Sequence, residues 1–252
     1  MKVFCCVDKG PGKSACDDRV LINDSVISSD FYETELDVSQ RNVFAVADGV
    51  GGNKAGYYAA SMAVFAMSKT NLPVELSVRS IEQQIRESNQ EINALSEYNS
   101  KYRNMATTLS GICVDDGKWF LFHIGNTRVY LITYGSMDPI TEDHTWAREM
   151  ELNGFSEDEL AKSARKSEIT ACLGGGNIQL IDKLQISDIT SYMQKVRSIL
   201  VTSDGLHDYI DRTTLERSVA NIPDPKEYFT QAIRFARSEG SQDDISVVLI
   251  DL

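Results

Sequence analysis

Three places in this 252-residue chain set carboxylates against the end of an apolar run. Asp48 closes FAVAD, Asp204 closes ILVTSD, and the pair Asp243–Asp244 precedes ISVVLI. Twice the next residue is glycine, Gly49 and Gly205. A strand end inside a packed sandwich is a rigid platform, so carboxylates placed there converge with little conformational freedom. Gathered carboxylates repel one another and partly protonate unless a cation joins them. One Asp-Gly is ordinary turn chemistry. Two of them after long apolar runs, with an Asp-Asp before a third, point to a divalent metal. Only three histidines are present, His123, His144 and His207, which excludes a multi-histidine centre. Oxygen ligands must then hold the cation, and they select Mg²⁺ or Mn²⁺. The histidines themselves read as structural.

Other chemistries find less support. The five cysteines are scattered, odd in number and without a CxxC pair, so they read as free thiols in a reducing compartment rather than a disulfide framework or zinc site. The glycines Gly49, Gly51, Gly52 and Gly56 do not fall in a GxGxxG register and no GK[ST] follows, which argues against a nucleotide loop. CLGGGNIQ, at Cys172 to Gln179, reads as a turn. A formal net charge of −12 repels nucleic acid. No apolar stretch reaches the ~18 residues of a membrane helix, and the N-terminus lacks the apolar core of a signal peptide.

The elements that must position these carboxylates are legible in the patterning. KVFCCVD, RVLINDSVIS and NVFAVAD read as strands, with SDFYETELDVSQR a polar connection. Helices follow at about Ala55–Thr70 and Val78–Tyr98, the second with a one-sided stripe of Val78, Ile81, Ile85, Ile92 and Leu95. From Thr107 three strands are joined by turns at DDGK and GNTR. A short helix in HTWAREMELNG ends at Gly154, and FSEDELAKSARKSE reads as a short helix in a mobile excursion. KLQISDI and RSILVTSDG are strands, helices lie near Thr213–Ala220 and Pro225–Glu239, and DISVVLIDL is the last strand. Strand clusters followed by helix pairs favour α+β layering, with two antiparallel sheets face to face and a helix pair on each. No linker or repeat divides the chain, so residues 1–252 read as one domain.

In order along the chain, KSACDD, FAVADGVGG, MATTLSG, HIGNTRVYL, ITEDHTWAREM, RKSEITACLG, LVTSDGLHDYI and SQDDISVVLI resemble the successive motifs of the metal-dependent Ser/Thr protein phosphatases of the 2C type, in their bacterial form. The resemblance covers nearly the whole chain. It implies a four-layer α/β/β/α sandwich and hydrolysis of phosphoserine and phosphothreonine in proteins by a water that two metal ions activate, with no phosphoenzyme. Position by position, it makes Asp48 the bridge between two ions, the Gly49 carbonyl a ligand of the second, and Asp204 and Asp243 the rest of the first ion's shell. Asp18 would hold a metal-bound water, and Lys13 stands where the family binds phosphate with arginine. A flap corresponds to about 145–168. The implied setting is a cytoplasmic monomer acting on phosphoproteins made by a Ser/Thr kinase.

Several residues depart from the family pattern. Lys13 for arginine forfeits bidentate phosphate binding. Cys16 and Asp17 replace an amide and a Glu or Gln, Val50 stands where some members carry a histidine, Ala106 replaces glycine and Asp244 replaces asparagine. Asn126 stands where many members place an aspartate for a third ion, so the resemblance implies two ions with a third absent or weakly held. Lys13 and Asn126 also keep a second reading in view, a weak or inactive relative that regulates a partner, and a third is a phosphatase dedicated to one small regulator.

Overall fold

Several strands are buried at every position, so both of their faces need cover. In the strand Asn42–Ala47, Val43, Ala45 and Ala47 join one apolar cluster while Phe44 and Val46 join another. That division dictates a layered molecule. The computed structural model describes residues 1–28, 30–50, 55–221 and 224–252. In chain order the first strands are β1 (Lys2–Asp8), β2 (Arg19–Ile22), β3 (Ser25–Ile27), β4 (Tyr32–Glu35), β5 (Asn42–Ala47) and β6 (Gly49–Val50). Helices α1 (Ala55–Ala66) and α2 (Val78–Tyr98) lead to β7 (Ala106–Thr107), β8 (Leu109–Asp115), β9 (Lys118–Ile124), β10 (Arg128–Ile132) and β11 (Met137–Pro139). Short helices α3 (Trp146–Leu152) and α4 (Glu157–Lys162) precede β12 (Leu173–Gly174), β13 (Gln185–Asp188) and β14 (Ser198–Thr202). Then come α5 (Asp204–His207), α6 (Arg212–Asn221), α7 (Pro225–Ser238) and β15 (Ile245–Asp251).

One six-stranded sheet runs β11-β10-β14-β15-β1-β4 and the other β13-β9-β8-β5-β2-β3, with a small sheet β12-β7-β6 beside them. Neighbours in all three are antiparallel. Val3, Cys5, Phe44, Ile112, Val201 and Val248 fill the space between the two large sheets. Ala59, Ala63, Ile81, Ile85 and Ile92 of α1 and α2 pack on the outer face of the second sheet. Leu215, Tyr228, Phe229 and Ala232 of α6 and α7 pack on the outer face of the first, against Phe4, Leu200 and Leu249. The result is the four-layer α/β/β/α sandwich. Helix α2 starts where Ser77 and Ser80 cap each other's backbone N–H groups, and its expected bounds hold.

Several elements differ from the sequence reading, among them CLGGGNIQ, which carries the short strand β12 paired with β7 rather than only a turn. RVLINDSVIS is a hairpin, β2–β3, turning through Asn23 at φ 57°, a conformation asparagine tolerates. The polar connection contains β4, an edge strand on β1 whose residues alternate between half-buried and exposed and so carry no apolar signature. Helix α1 ends at Ala66 rather than Thr70. The first strand after Thr107 is preceded by β7, which leaves the large sheet to pair with β6 and β12. Gly51 and Gly52 lie outside the described residues. Among those residues, no helix is long and apolar enough to cross a membrane.

Phe44, fully buried between the sheets, should be a stability anchor. Phe44→Ala is expected to cost about 3–5 kcal/mol, read as a lower urea midpoint at unchanged slope.

Candidate active site

Strand register brings the carboxylates together. β2 and β5 pair Arg19 with Ala47, so the chain carries Asp18 and Asp48 out of the same end of one sheet. β14 and β15 pair Thr202 with Val247, and Ser203 N–H donates to the Ser246 carbonyl at 2.9 Å. Asp204 and Asp243–Asp244 therefore leave the facing sheet at the same edge. Asp18 lies beside Ser203 and Ser246 of that facing sheet, and Asp48 abuts the Asp204 carboxyl. Asp48, Gly49, Asp204, Asp243 and Lys13 line one open cleft of about 910 Å³. Asp18, 1% exposed, sits in the protein behind it.

The backbone at Asp48 is fixed by two buried threonines. Thr108 N–H and Thr107 Oγ1 both donate to the Asp48 carbonyl at 2.9 Å, and Asp48 N–H donates to Thr108 Oγ1 at 2.9 Å. This gives MATTLSG its role, which the sequence alone did not reveal. Gly49 is required by close approach: a Cβ there would lie 2.5 Å from the Gly56 carbonyl carbon and 2.8 Å from the Asp17 oxygen. Gly205 is required likewise, since a Cβ would lie 2.1 Å from the Asp244 oxygen.

Asn126 donates Nδ2–H to Asp204 Oδ2 at 2.7 Å. Its turn is held in place by His144, whose Nδ1 accepts from Gly125 N–H at 3.0 Å and whose own N–H donates to the Gly125 carbonyl at 2.8 Å. Asp244, 1% exposed, accepts from Gly10 N–H on Oδ1 at 2.7 Å and from Asp17 N–H on Oδ2 at 2.7 Å. An asparagine has one acceptor oxygen and could not serve both ends of that loop, which accounts for the aspartate. Lys13 contacts Asp243 and lies 3.1 Å from Asp244 Oδ2. Burial alone would lower the Lys13 pKa, but the hydrogen bonds and charges of these two aspartates outweigh it and raise it.

Burial is the first cause of a raised pKa at three of the carboxyls. Asp18 is pushed up to about 7 by burial, with the charges of Asp244 and Asp204 adding and the Ser246 and Ser203 hydroxyls opposing. Asp48 rises well above the usual carboxylate range through burial and the charges of Asp18, Asp204 and Asp243. Asp204 rises through burial and the Asp243 charge, against the Asn126 hydrogen bond. His123 and His207 are buried, His144 is half-buried, and each makes structural hydrogen bonds. Burial holds His123 near 4 while Ser110 Oγ and the Glu142 carbonyl occupy its two nitrogens at 2.7 and 2.8 Å. His207 Nδ1 meets Thr202 Oγ1 at 2.7 Å.

The donor set fits a hard divalent cation. Asp18 Oδ2, Asp204 Oδ1 and Asn126 Oδ1 are buried with no hydrogen-bond partner, and oxygen ligands suit Mg²⁺ or Mn²⁺. Among the described residues, however, no three acidic, histidine or cysteine side chains already surround a common centre. Asp243 is engaged by Lys13 and Asp48 faces Asp204 directly, so cation binding requires those side chains to reorient. The chemistry of the donors, rather than their present directions, carries the fit.

The segment 145–168, where the resemblance puts a flap, is tied down at both ends. Thr145 bridges Ile169, Trp146 N–H donates to the Glu168 carbonyl at 2.8 Å, and Ala147 N–H to the Lys166 carbonyl at 2.9 Å. Ser167, Glu168 and Ile169 line the cleft. Sequence reasoning also missed Tyr57, Tyr58 and Tyr209 in the cleft wall. Their spacing offers no signal beyond a helix start.

Comparison with known proteins agrees with this architecture. The profile of the protein phosphatase 2C family matches residues 22–249. Protein phosphatase PhpP of Streptococcus pneumoniae is 27% identical over 231 residues, 89% of this chain and 92% of that protein. Serine/threonine phosphatase stp of Listeria monocytogenes is 28% identical over 216 residues, 83% and 84% of the two chains. The crystal structure of serine/threonine phosphatase Stp1 from Staphylococcus aureus superposes with a TM-score of 0.81 at 20% identity, over 99% of this chain and 94% of that one. The chain belongs to the protein phosphatase 2C family, a class of metal-dependent serine/threonine protein phosphatases.

The raised pKa values set a pH dependence. Folded carboxyls with raised pKa keep protons that the unfolded chain has released, so their contribution is present below about pH 4 and is lost as pH climbs through the folded values. For Asp18 that loss accumulates above about pH 4 and is complete near its folded value of about 7. In EDTA the melting temperature is expected to fall between pH 4.5 and pH 7, and Asp18→Asn should fall less. Equal slopes for the two proteins would remove Asp18 from this account.

Proposed function

We propose that this chain hydrolyses phosphoserine and phosphothreonine in proteins with two Mg²⁺ or Mn²⁺ ions and no phosphoenzyme. Its substrates would be phosphoproteins made by a Ser/Thr kinase, and residues 1–252 would act as one catalytic unit with a flap at about 145–168. The supporting observation is the group of carboxyls Asp18, Asp48 and Asp204, whose pKa values burial and neighbouring aspartates raise, with Asp18 Oδ2 and Asp204 Oδ1 buried and unpaired. Asp48, Asp204, Asp243 and the Gly49 carbonyl would hold the ions, with Asp18 behind them orienting water. When bound, such ions offset the phosphate's negative charge and lower the pKa of water until a hydroxide nucleophile is accessible near neutral pH.

The chain's own residues do the positioning. Thr107 and Thr108 fix the main chain that carries Asp48. Asn126 orients Asp204 through an N–H donor, and that nitrogen has no lone pair for a cation. Only the neutral Asn126 Oδ1 remains, which supports two ions with a third weak or absent. Lys13 lies at the cleft with its charge shared between Asp243 and Asp244, so a substrate phosphate must compete with them for it. That pairing favours slow turnover, and it is the observation that keeps the weak-enzyme reading alive.

Hydrolysis of p-nitrophenyl phosphate and of a phosphothreonine peptide tests the proposal. Activity should require Mn²⁺ or Mg²⁺, vanish in EDTA, and drop in Asp204→Asn by at least the ~100-fold upper range for losing a residue that merely supports a ligand. No Mn²⁺-dependent turnover would sink it. Calorimetric titration of the wild-type chain should count two tight Mn²⁺ ions, and Asn126→Asp should gain a third. A third ion bound at micromolar affinity in the wild type would overturn the role given to Asn126.

A further inference from the structure

Apolar and aromatic residues line the cleft as well as its carboxylates. Tyr57 and Tyr58, in the first turns of α1, line it with Val50, Ile169 and Cys172. Their place follows from the backbone. Gly56 and Gly49 approach so closely that a Cβ on either would come within 2.7 Å of the other's carbonyl group. Tyr57 is therefore one residue from the main chain that carries Asp48, and its N–H donates to Asp17 Oδ1 at 3.1 Å.

The rings are firmly held. The buried Arg19 guanidinium lies 3.6 Å from the Tyr57 ring centroid and is itself fixed by Ser61 Oγ at 3.2 Å and by the Cys16 and Asp18 carbonyls. Tyr57 meets Tyr58 edge-to-face at 5.4 Å, and Tyr58 meets Tyr102 at 4.6 Å. Tyr58 and Tyr102 pack on the core under α1 and α2. Tyr57 nevertheless stays 40% exposed in the cleft. An exposed ring whose orientation is already determined is a preformed platform, so little ordering entropy opposes contact with it.

Three classes of substrate side chain could meet this platform. A cation would face a ring that already carries Arg19, and like charges acting through one ring repel. An acidic side chain would meet Asp17, Glu168 and Asp243 in the same cleft. An apolar or aromatic side chain meets neither obstacle and buries against Val50, Ile169 and the rings. We propose that Tyr57 and Tyr58, with Ile169 at the flap base, form a subsite for an apolar or aromatic side chain adjacent to the phosphorylated residue. The inference rests on the phosphatase reading above and names its preferred substrates: phosphosites flanked by residues such as Phe or Leu, over those flanked by Arg or Glu.

The test compares phosphothreonine peptides that are identical except for Phe, Arg or Glu beside the phosphothreonine, with Mn²⁺ present. The Phe peptide should show a KM at least about tenfold lower than the other two, with kcat similar, as burial of one aromatic side chain warrants. Tyr57→Ala should bring the three KM values within about twofold, while Tyr57→Phe, which keeps the ring, should retain the preference. Circular dichroism checks that each variant is folded. Equal KM values in the wild type, a preference for the Arg or Glu peptide, or selectivity that survives Tyr57→Ala would each overturn the subsite. Affinities of the same peptides carrying a non-hydrolysable phosphonate, measured on the wild-type chain by fluorescence anisotropy, give that ratio without turnover. Absent turnover would then defeat the phosphatase reading while the affinity ratio still decides the subsite.

Discussion

The repulsion among carboxyls gathered at one edge of the sandwich is the constraint on which the rest depends. Asp18 and Asp48 arrive from one sheet, Asp204 and Asp243 from the other, and no strand could carry them all. Each is placed by a main chain with little freedom. Burial, with repulsion from neighbouring aspartates, stores electrostatic cost in the folded state, visible as raised pKa values at Asp18, Asp48 and Asp204. The large core between and outside the sheets is what tolerates that cost, because its apolar clusters do not depend on the site's ionisation.

Around this repulsive centre stand groups that fix the carboxyls in place. Thr107 and Thr108 occupy the Asp48 backbone, Asn126 occupies one oxygen of Asp204, and His144 holds the turn that presents Asn126. The same residue, His144, adjoins Thr145, whose bridge to Ile169 closes the segment between them. The base of that segment and the Asp204 carboxylate are thus joined through one turn.

Much of this was legible in the sequence, for definite reasons. Long apolar strands and the stripe of α2 are strong periodic signals, and Asp-Gly at strand ends marks the site's edge. The signals failed where burial is partial or pairing is short. β4 is a half-exposed edge strand, and β7 has two residues and belongs to a small separate sheet. Within the site, Asp48, Asp204 and Asp243 could be named from their places at strand ends, whereas Asp18 and Lys13 needed the family resemblance. Asp244 was noticed only as an extra charge, because hydrogen bonds to Gly10 and Asp17 cross more than two hundred residues of sequence. Tyr57 and Tyr58 were invisible, since a tyrosine pair opening a helix looks the same whether it faces a core or a cleft.

The position of Asp244 also has a consequence for how the protein comes into being. It bolts Gly10 and Asp17, and β15 beside it lies between β1 and β14 in the first sheet. The loop that bears Lys13 and leads into Asp18 cannot be set until residue 244 is present. During synthesis the N-terminal residues wait for nearly the whole chain to emerge before the carboxylates can be assembled, which makes the site one of the most non-local features of the fold and a late one to form. A chain interrupted before β15 carries most of the site's side chains and lacks the bolt that assembles them.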